Sequence, residues 1–381
     1  MPFQRRSSCP SYYDEVNPTQ LFVDLDAIAR NLARLREAGG GRDLIVAVKA
    51  DAYGHGLVPV ARRIEPDVAF FGVATVSEAL ALREAGIEKP ILKLSPTLPD
   101  ELPDAVRARL TLTVSSFADV AAAASVAGAQ GAILPVHIKI DTGMRRVGVL
   151  PAEAAALARA VAEADGVELD GVFTHLAVAD VEGELEFTER QLSEFLAAVS
   201  AVQGEVGEIP WIHAANSAGI LNLDIEGTNA IRPGIAMYGS SPDWNSKGVE
   251  LEQTARWTSR ITLVKTVEAG ESVSYGRTWA PDEATRIATV AVGYGDGYSR
   301  LNSSRGRVLI DGRAYPVVGR VCMDQILVDL GPDSTIEPGA EVVLMGAIGE
   351  ECITPQELAD LMGTIPYEVM CLITSRVPRV Y

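Results

Sequence analysis

Four cysteines are all this chain has, Cys9, Cys322, Cys352 and Cys371, and they are scattered, with no CxxC spacing and no histidine beside them. That argues against a disulfide framework and against a zinc site, and leaves reduced thiols as the expectation. Long apolar runs are missing as well: none approaches the ~20 residues that a membrane span needs. The opening stretch MPFQRRSSCPSYYDEVNPTQ carries arginines but no apolar segment of the kind a secretory signal requires. Positive charge is in deficit, with 33 Lys and Arg against 51 Asp and Glu and a formal net charge of -18. An excess of that sign disfavours nucleic acid or an anionic membrane as partner. The expectation is a cytoplasmic protein with a small-molecule substrate.

What the chain does have is an ordinary globular balance over 381 residues, 48% hydrophobic and 22% charged, enough for one barrel and a second domain. Residues 1–18 read as a flexible leader, QLFVDLD as a short strand, and LDAIARNLARLREA as an amphipathic helix. Short apolar runs then recur at 45–49, 70–74, 91–95, 110–114, 134–140, 170–175, 211–214 and 230–238. Helical patterns such as SEALALREAG, ADVAAAASVAG and AEAAALARAVAEADG lie between them. Strand and helix in alternation imply parallel βαβ units, and eight of them suit a β/α (TIM-type) barrel of ~250 residues. A doubly wound open sheet is the alternative, but no GxGxxG follows the first strand. The barrel is expected over 19–243. A polar hinge, SSPDWNSKG, precedes β-rich runs such as TSRITLVKTV and DQILVDLG, where only TPQELADLMG reads as helix. Residues 244–381 are therefore expected to form a mainly β domain.

In a barrel, chemistry sits at the C-terminal ends of strands and in the loops after them. The first such end is AVKADAYGHG, where Lys49 closes the apolar run LIVAV and Tyr53 follows in the loop. Burial lowers a lysine's pKa, and a neutral lysine can form a Schiff base with an aldehyde cofactor. Further ends supply Lys139, Arg145 and Arg146 in HIKIDTGMRRVGV, His175 in THL, Asn216 and Ser217 in HAANSAG, and Arg232 and Gly234 in AIRPGIAMYG. Tyr53, Ser217 and Gly234 together could hold a phosphate, although singly Ser217 reads as a helix N-cap and Gly234 as a turn glycine. Arg232 within an apolar run needs a partner, and His175 is the candidate. Tyr275, Tyr294 and Met323, each taken alone, read as ordinary sheet or core residues.

Taken together, AVKADAYGHG, HIKIDTGMRRVGV, THLAVAD, HAANSAG, IRPGIAMYG, VSYGRTW, VGYGDGY, RVCMDQ and TIPYEVMCLITSRVPRVY stand in an order that resembles the alanine racemase family, from about Leu21 to Tyr381. The resemblance implies pyridoxal 5'-phosphate (PLP) as cofactor, alanine as substrate, D-alanine for peptidoglycan as product, and a homodimer whose active site the partner subunit completes. It implies that Lys49 carries PLP and that Tyr53, Ser217, Gly234, Ile235 and Tyr367 contact the phosphate. Arg232 would face the pyridine nitrogen with His175 behind it. Lys49 and Tyr275, the latter from the partner, would be the two acid/base residues, with a cationic network through His175 and Arg232 favouring the phenolate. Arg146, Met323 and Tyr294 would position substrate, and Arg300 and Arg320 would line the access corridor. The family also implies that Lys139 is carboxylated. Asp51 and Arg145 stand where the family commonly has asparagine and glycine, which leaves their roles open. A noncatalytic PLP-binding barrel, a PLP-dependent decarboxylase and a racemase acting on serine are the competing readings. The first ends after the barrel, without a β domain or a Tyr275; the second would bring a glycine-run phosphate loop and a differently placed C-terminal cysteine, neither of which this sequence has; and the third typically carries a signal peptide and lacks the lysine at position 139.

Overall fold

The structure, a computed structural model, describes residues 17–241 and 248–381. Most of the expected leader and of the expected hinge lies outside the described residues, as does Cys9. The chain divides into two compact units, one made of Leu25–Glu252 and the other of the segment up to Asp24 together with Gln253–Tyr381.

The first strand, β1 (Gln20–Val23), belongs to the second of these units. Eight parallel strands then close a barrel: β2 (Asp43–Ala47), β3 (Phe70–Val73), β4 (Ile91–Lys93), β5 (Leu110–Val114), β6 (Leu134–Lys139), β7 (Val167–Phe173), β8 (Trp211–His213) and β9 (Ala230–Ile231). These are the eight expected strands, but most stop short of the expected ends. Several are buried at every position, as in Leu110–Val114, because parallel strands in a barrel are covered on both faces. Ile45, Phe70, Leu92 and Ala230 fill one level of the interior. Helices wrap outside; Leu25–Ala38 buries Ala27, Ile28, Leu32 and Leu35 along one stripe. The helix Val76–Glu84 starts with a capping box, in which Thr75 accepts from the Glu78 N–H and Glu78 accepts from the Thr75 N–H.

The other unit holds a nine-stranded sheet in the order β16-β15-β12-β13-β14-β11-β10-β1-β17. Its members are β10 (Ala255–Val267), β11 (Thr285–Val290), β12 (Arg307–Ile310), β13 (Arg313–Val318), β14 (Ile326–Gly331), β15 (Glu341–Ile348), β16 (Glu351–Ile353) and β17 (Arg379–Val380). The strand β1 lies between β10 and β17, antiparallel to the first and parallel to the second. The expected division at 18/19 and 243/244 thus differs from the one observed at 24/25 and 252/253. Adjacency in sequence suggested that β1 opens the barrel, whereas its partners lie more than two hundred residues away. A second helix, Pro366–Leu372, also stands where the sequence suggested none, with a proline in its first turn. No helix among the described residues is long and apolar enough to cross a membrane.

Candidate active site

Strand β2 ends at Ala47, so Lys49 is not the last residue of a strand but the first of the turn that follows. From Ala50 to Tyr53 the backbone is left-handed, with φ of 53°, 54°, 53° and 53°, and Gly54 continues it at 79°. For L-residues this helical sense costs about 1–2 kcal/mol each, and it survives only where its surroundings hold it. Backbone bonds close the turn, Ala52 N–H to Val48 at 2.8 Å and Gly54 N–H to Ala50 at 3.0 Å. The Asp51 carboxylate accepts the Leu57 N–H at 2.7 Å and so caps the next helix, Leu57–Ile64. That accounts for Asp51: the position uses one side-chain oxygen as acceptor, which asparagine also has, and both residues tolerate the left-handed region.

The turn delivers the Tyr53 ring into the barrel mouth, stacked on Tyr238 with centroids 5.0 Å apart. A Cβ built on Gly234 would lie 2.9 Å from the Tyr53 hydroxyl and 3.8 Å from Ser217 Oγ. Both hydroxyls therefore reach one bare stretch of backbone, and glycine is needed at 234 for room. The N-cap reading of Ser217 is corrected: Asn216 caps the helix Ser217–Asn222, accepting the Gly219 N–H at 2.9 Å. Ser217 Oγ is freed for another task and accepts the N–H groups of Gly234 at 2.9 Å and Ala236 at 3.3 Å. Ile235, beside them, is buried. Two hydroxyls around a side-chain-free peptide, next to a lysine, form a donor set that fits the phosphate end of a phosphorylated aldehyde.

Arg232 lies one residue beyond β9 and is buried. One terminal nitrogen donates to the carbonyls of Thr174 and Ala214, both at 2.7 Å, and the other to His213 Nδ1 at 2.9 Å. The expected partner, His175, is a longer contact at 3.4 Å. Beyond His213 the series goes on: its Nε2 meets His137 Nδ1 at 2.9 Å, and His137 Nε2 meets Asp170 at 3.1 Å. With Arg232 donating at one end and a carboxylate accepting at the other, each neutral imidazole has one donor and one acceptor nitrogen, correctly placed. Burial, with the charge of Arg232 next, pushes the His213 imidazole well below its usual range, and burial lowers His137 against the opposing pull of Asp170. Burial brings Arg232 down to about 9, so the guanidinium stays charged at neutral pH. Sequence reading missed His213, His137 and Asp170. The available signal was the two-residue strand period, which puts His137 and Lys139 on one face of β6.

Lys139 is buried with its ammonium position 4.2 Å from the centre of the Phe173 ring. Desolvation, then Arg232 and Arg146, hold this amine well below the usual lysine range. His175 is likewise driven well down, by burial and then by Lys139, Arg232, Arg146 and Lys49. Those four basic side chains, Lys139 itself biased toward its neutral form, therefore lie around one histidine. It is neutral, and the positive charge expected from it comes from the arginines instead. Arg146 and Arg145 are exposed, and Arg145 has φ of 55°, which explains the glycine common there in the family.

The remaining expected residues lie in the β unit. Tyr275 opens a short turn and is 70% exposed, between Ser274 and Gly276, both at positive φ. Ser274 donates its hydroxyl to the Arg320 carbonyl at 2.6 Å, and a Cβ on Gly276 would touch the Arg320 guanidinium. Tyr294 and Met323 are exposed and joined through backbone, with the Tyr294 N–H on Cys322 and the Gly295 N–H on Met323, at 3.0 and 2.9 Å. Tyr275, Tyr294, Met323 and Arg320 thus occupy adjoining loops. Arg300 starts a turn at Arg300–Asn302, and Tyr367 lies half-buried in the helix Pro366–Leu372.

The family model for the alanine racemase N-terminal domain matches residues 23–242, and that for the C-terminal domain matches 254–381. An alanine racemase from Cutibacterium acnes is 46% identical over 373 residues, covering 97% of this chain and 98% of that protein. One from Geobacter sulfurreducens is 40% identical, covering 96% and 97%. A solved alanine racemase of Clostridium difficile superposes with a TM-score of 0.90 at 35% identity, covering 96% of each chain. By sequence, fold and domain content, the chain belongs to the alanine racemase family.

Proposed function

We propose that this protein interconverts L- and D-alanine with PLP as cofactor, as a cytoplasmic homodimer that supplies D-alanine for peptidoglycan. The observation that carries the cofactor assignment is the convergence of the Tyr53 and Ser217 hydroxyls on the bare Gly234, in the loops after neighbouring barrel strands, with Lys49 opening the turn that carries Tyr53. When bound, PLP supplies an electron sink for the α-carbon of the amino acid. Tyr53, Ser217, Gly234, Ile235 and Tyr367 take the phosphate. Arg232 would stand at the ring nitrogen; because it donates to two carbonyls and a histidine and keeps its proton, it would not protonate the ring.

Racemisation removes the α-proton from one face and returns one to the other, so it needs a base on each side. Lys49 takes the proton of the D-enantiomer, and Tyr275 of the partner subunit takes that of the L-enantiomer. Arg146, Met323 and Tyr294 hold the substrate. Burial favours the neutral amine of Lys139, whose free electron pair attacks carbon dioxide. A C–N bond forms, a proton leaves, and the resulting carbamate anion faces Arg146.

The decisive experiment is chiral analysis of the purified protein with PLP and L-alanine, beside L-serine, with Lys49→Ala as control. D-alanine formed fastest and lost in the variant supports the assignment. Consumption of substrate without a D-enantiomer points to decarboxylation or transamination, and a PLP absorbance band without turnover points to a binding protein.

A further inference from the structure

The left-handed turn after β2 is tied at its first residue by a side chain from a different barrel unit. Glu78, in the helix after β3, accepts the Ala50 N–H on Oε1 at 2.7 Å. Its other oxygen accepts the N–H groups of Ala74 at 2.8 Å and Thr75 at 3.1 Å. One carboxylate therefore joins the ends of two neighbouring strands, and it does so at the residue directly after Lys49. An ordinary capping box requires only the Thr75 contact; the bond to Ala50 is additional.

We propose that Glu78 is a positioning residue for Lys49, holding the strained turn in register so that the amine is presented at a fixed point. This rests on Lys49 being the cofactor lysine and the base for D-alanine. The side chain must be a carboxylate, since both oxygens accept. A glutamine would turn its NH2 toward the Ala50 N–H or toward the other two, and one set would lose its acceptor. A charge-assisted bond lost at a strained backbone frees the turn, and a shift of about 1 Å at a reacting group costs up to about 100-fold in rate.

The test compares Glu78→Gln with Thr75→Ala, which weakens the same helix cap but leaves the carboxylate on Ala50. Hydrogen exchange on the holoenzyme and on cofactor-free protein should speed up at residues 50–56 by at least about tenfold in Glu78→Gln only. With α-deuterated substrates, the primary isotope effect should rise for D-alanine and not for L-alanine in that variant, and neither should move in Thr75→Ala. Unchanged exchange at 50–56, or isotope effects that match those of Thr75→Ala, would overturn the proposal and leave Glu78 as a helix cap. The exchange readout needs neither cofactor nor turnover, so it stands even if the wild type proves inactive toward alanine. Should Glu78→Gln not fold, Glu78→Asp keeps both acceptors but withdraws them by one methylene, and carries the same readouts.

Discussion

Acidification from pH 7 to pH 5 should cost this fold stability, up to about 4 kcal/mol through two histidines alone. His213 and His175 are kept neutral by burial and by the cations around them, at values well below that of an exposed imidazole. In the unfolded chain the same groups titrate near 6.5. Below that pH the unfolded state binds protons that the native state refuses, so stability falls as pH falls, by about 1.4 kcal/mol per unit per proton. Over the interval each histidine contributes at most about 2 kcal/mol, the limit set by its unfolded-state titration, and His137, lowered by burial but supported by Asp170, adds less than that limit. Stability near pH 7 and above carries no such penalty. Urea denaturation followed by circular dichroism at half-unit steps from pH 5 to 8 measures the slope. His213→Gln supplies the control, because its amide can still accept from Arg232 and donate to His137 but does not titrate. That variant should lose less than wild type over the same range, by up to about 2 kcal/mol. A wild-type loss under about 1 kcal/mol, or equal losses in the two proteins, would refute the neutral-relay assignment.

Two further outcomes follow from the site. Gly234→Ala places a methyl 2.9 Å from the Tyr53 hydroxyl and should weaken PLP about 10- to 100-fold by absorbance titration, with little change in the fold. Unaltered affinity would remove Gly234 from the phosphate site. Carbon-13 bicarbonate should give a carbamate resonance in wild-type protein that is lost in Lys139→Gln, and activity should fall in carbonate-depleted buffer; absence of the resonance would leave Lys139 as a plain buried amine.

The barrel was legible because each parallel strand is an apolar run bounded by a helix pattern, and eight such runs are in sequence order. Strand ends were not. Lys49, His175 and Arg232 belong to apolar or motif-bearing stretches, but the ladder stops one or two residues before them, where the barrel opens and backbone pairing runs out. The left-handed turn was hidden for a different reason: Ala-Asp-Ala-Tyr has no glycine, and its local preference is a right-handed helix. Contacts made after folding, among them those of Glu78 and Asp51 and the backbone bonds that close the turn, hold it in the other hand. His175 does meet Arg232, at 3.4 Å, but the shorter contact with His213 at 2.9 Å went unread, because both histidines stand at strand ends and sequence offers no distance to rank them.

The placement of β1 has a consequence for how the protein comes into being. A ribosome makes this strand before any of the barrel, yet its neighbours are Trp257 on one side and Arg379 on the other. It must wait, unpaired, while the whole of the barrel segment is synthesised, and its last partner arrives only two residues before the end of this sequence. Contacts of such separation form late and slowly. A product truncated before residue 379 lacks β17 and leaves one long flank of β1 bare. Conversely, a fragment starting at 253 carries β10 and β17 with nothing between them, and β10 then offers an open edge to any strand that can pair with it. The C-terminal unit is therefore not a module that can be cut out and expressed by itself; a soluble version should require residues 17–24 to be grafted back onto it.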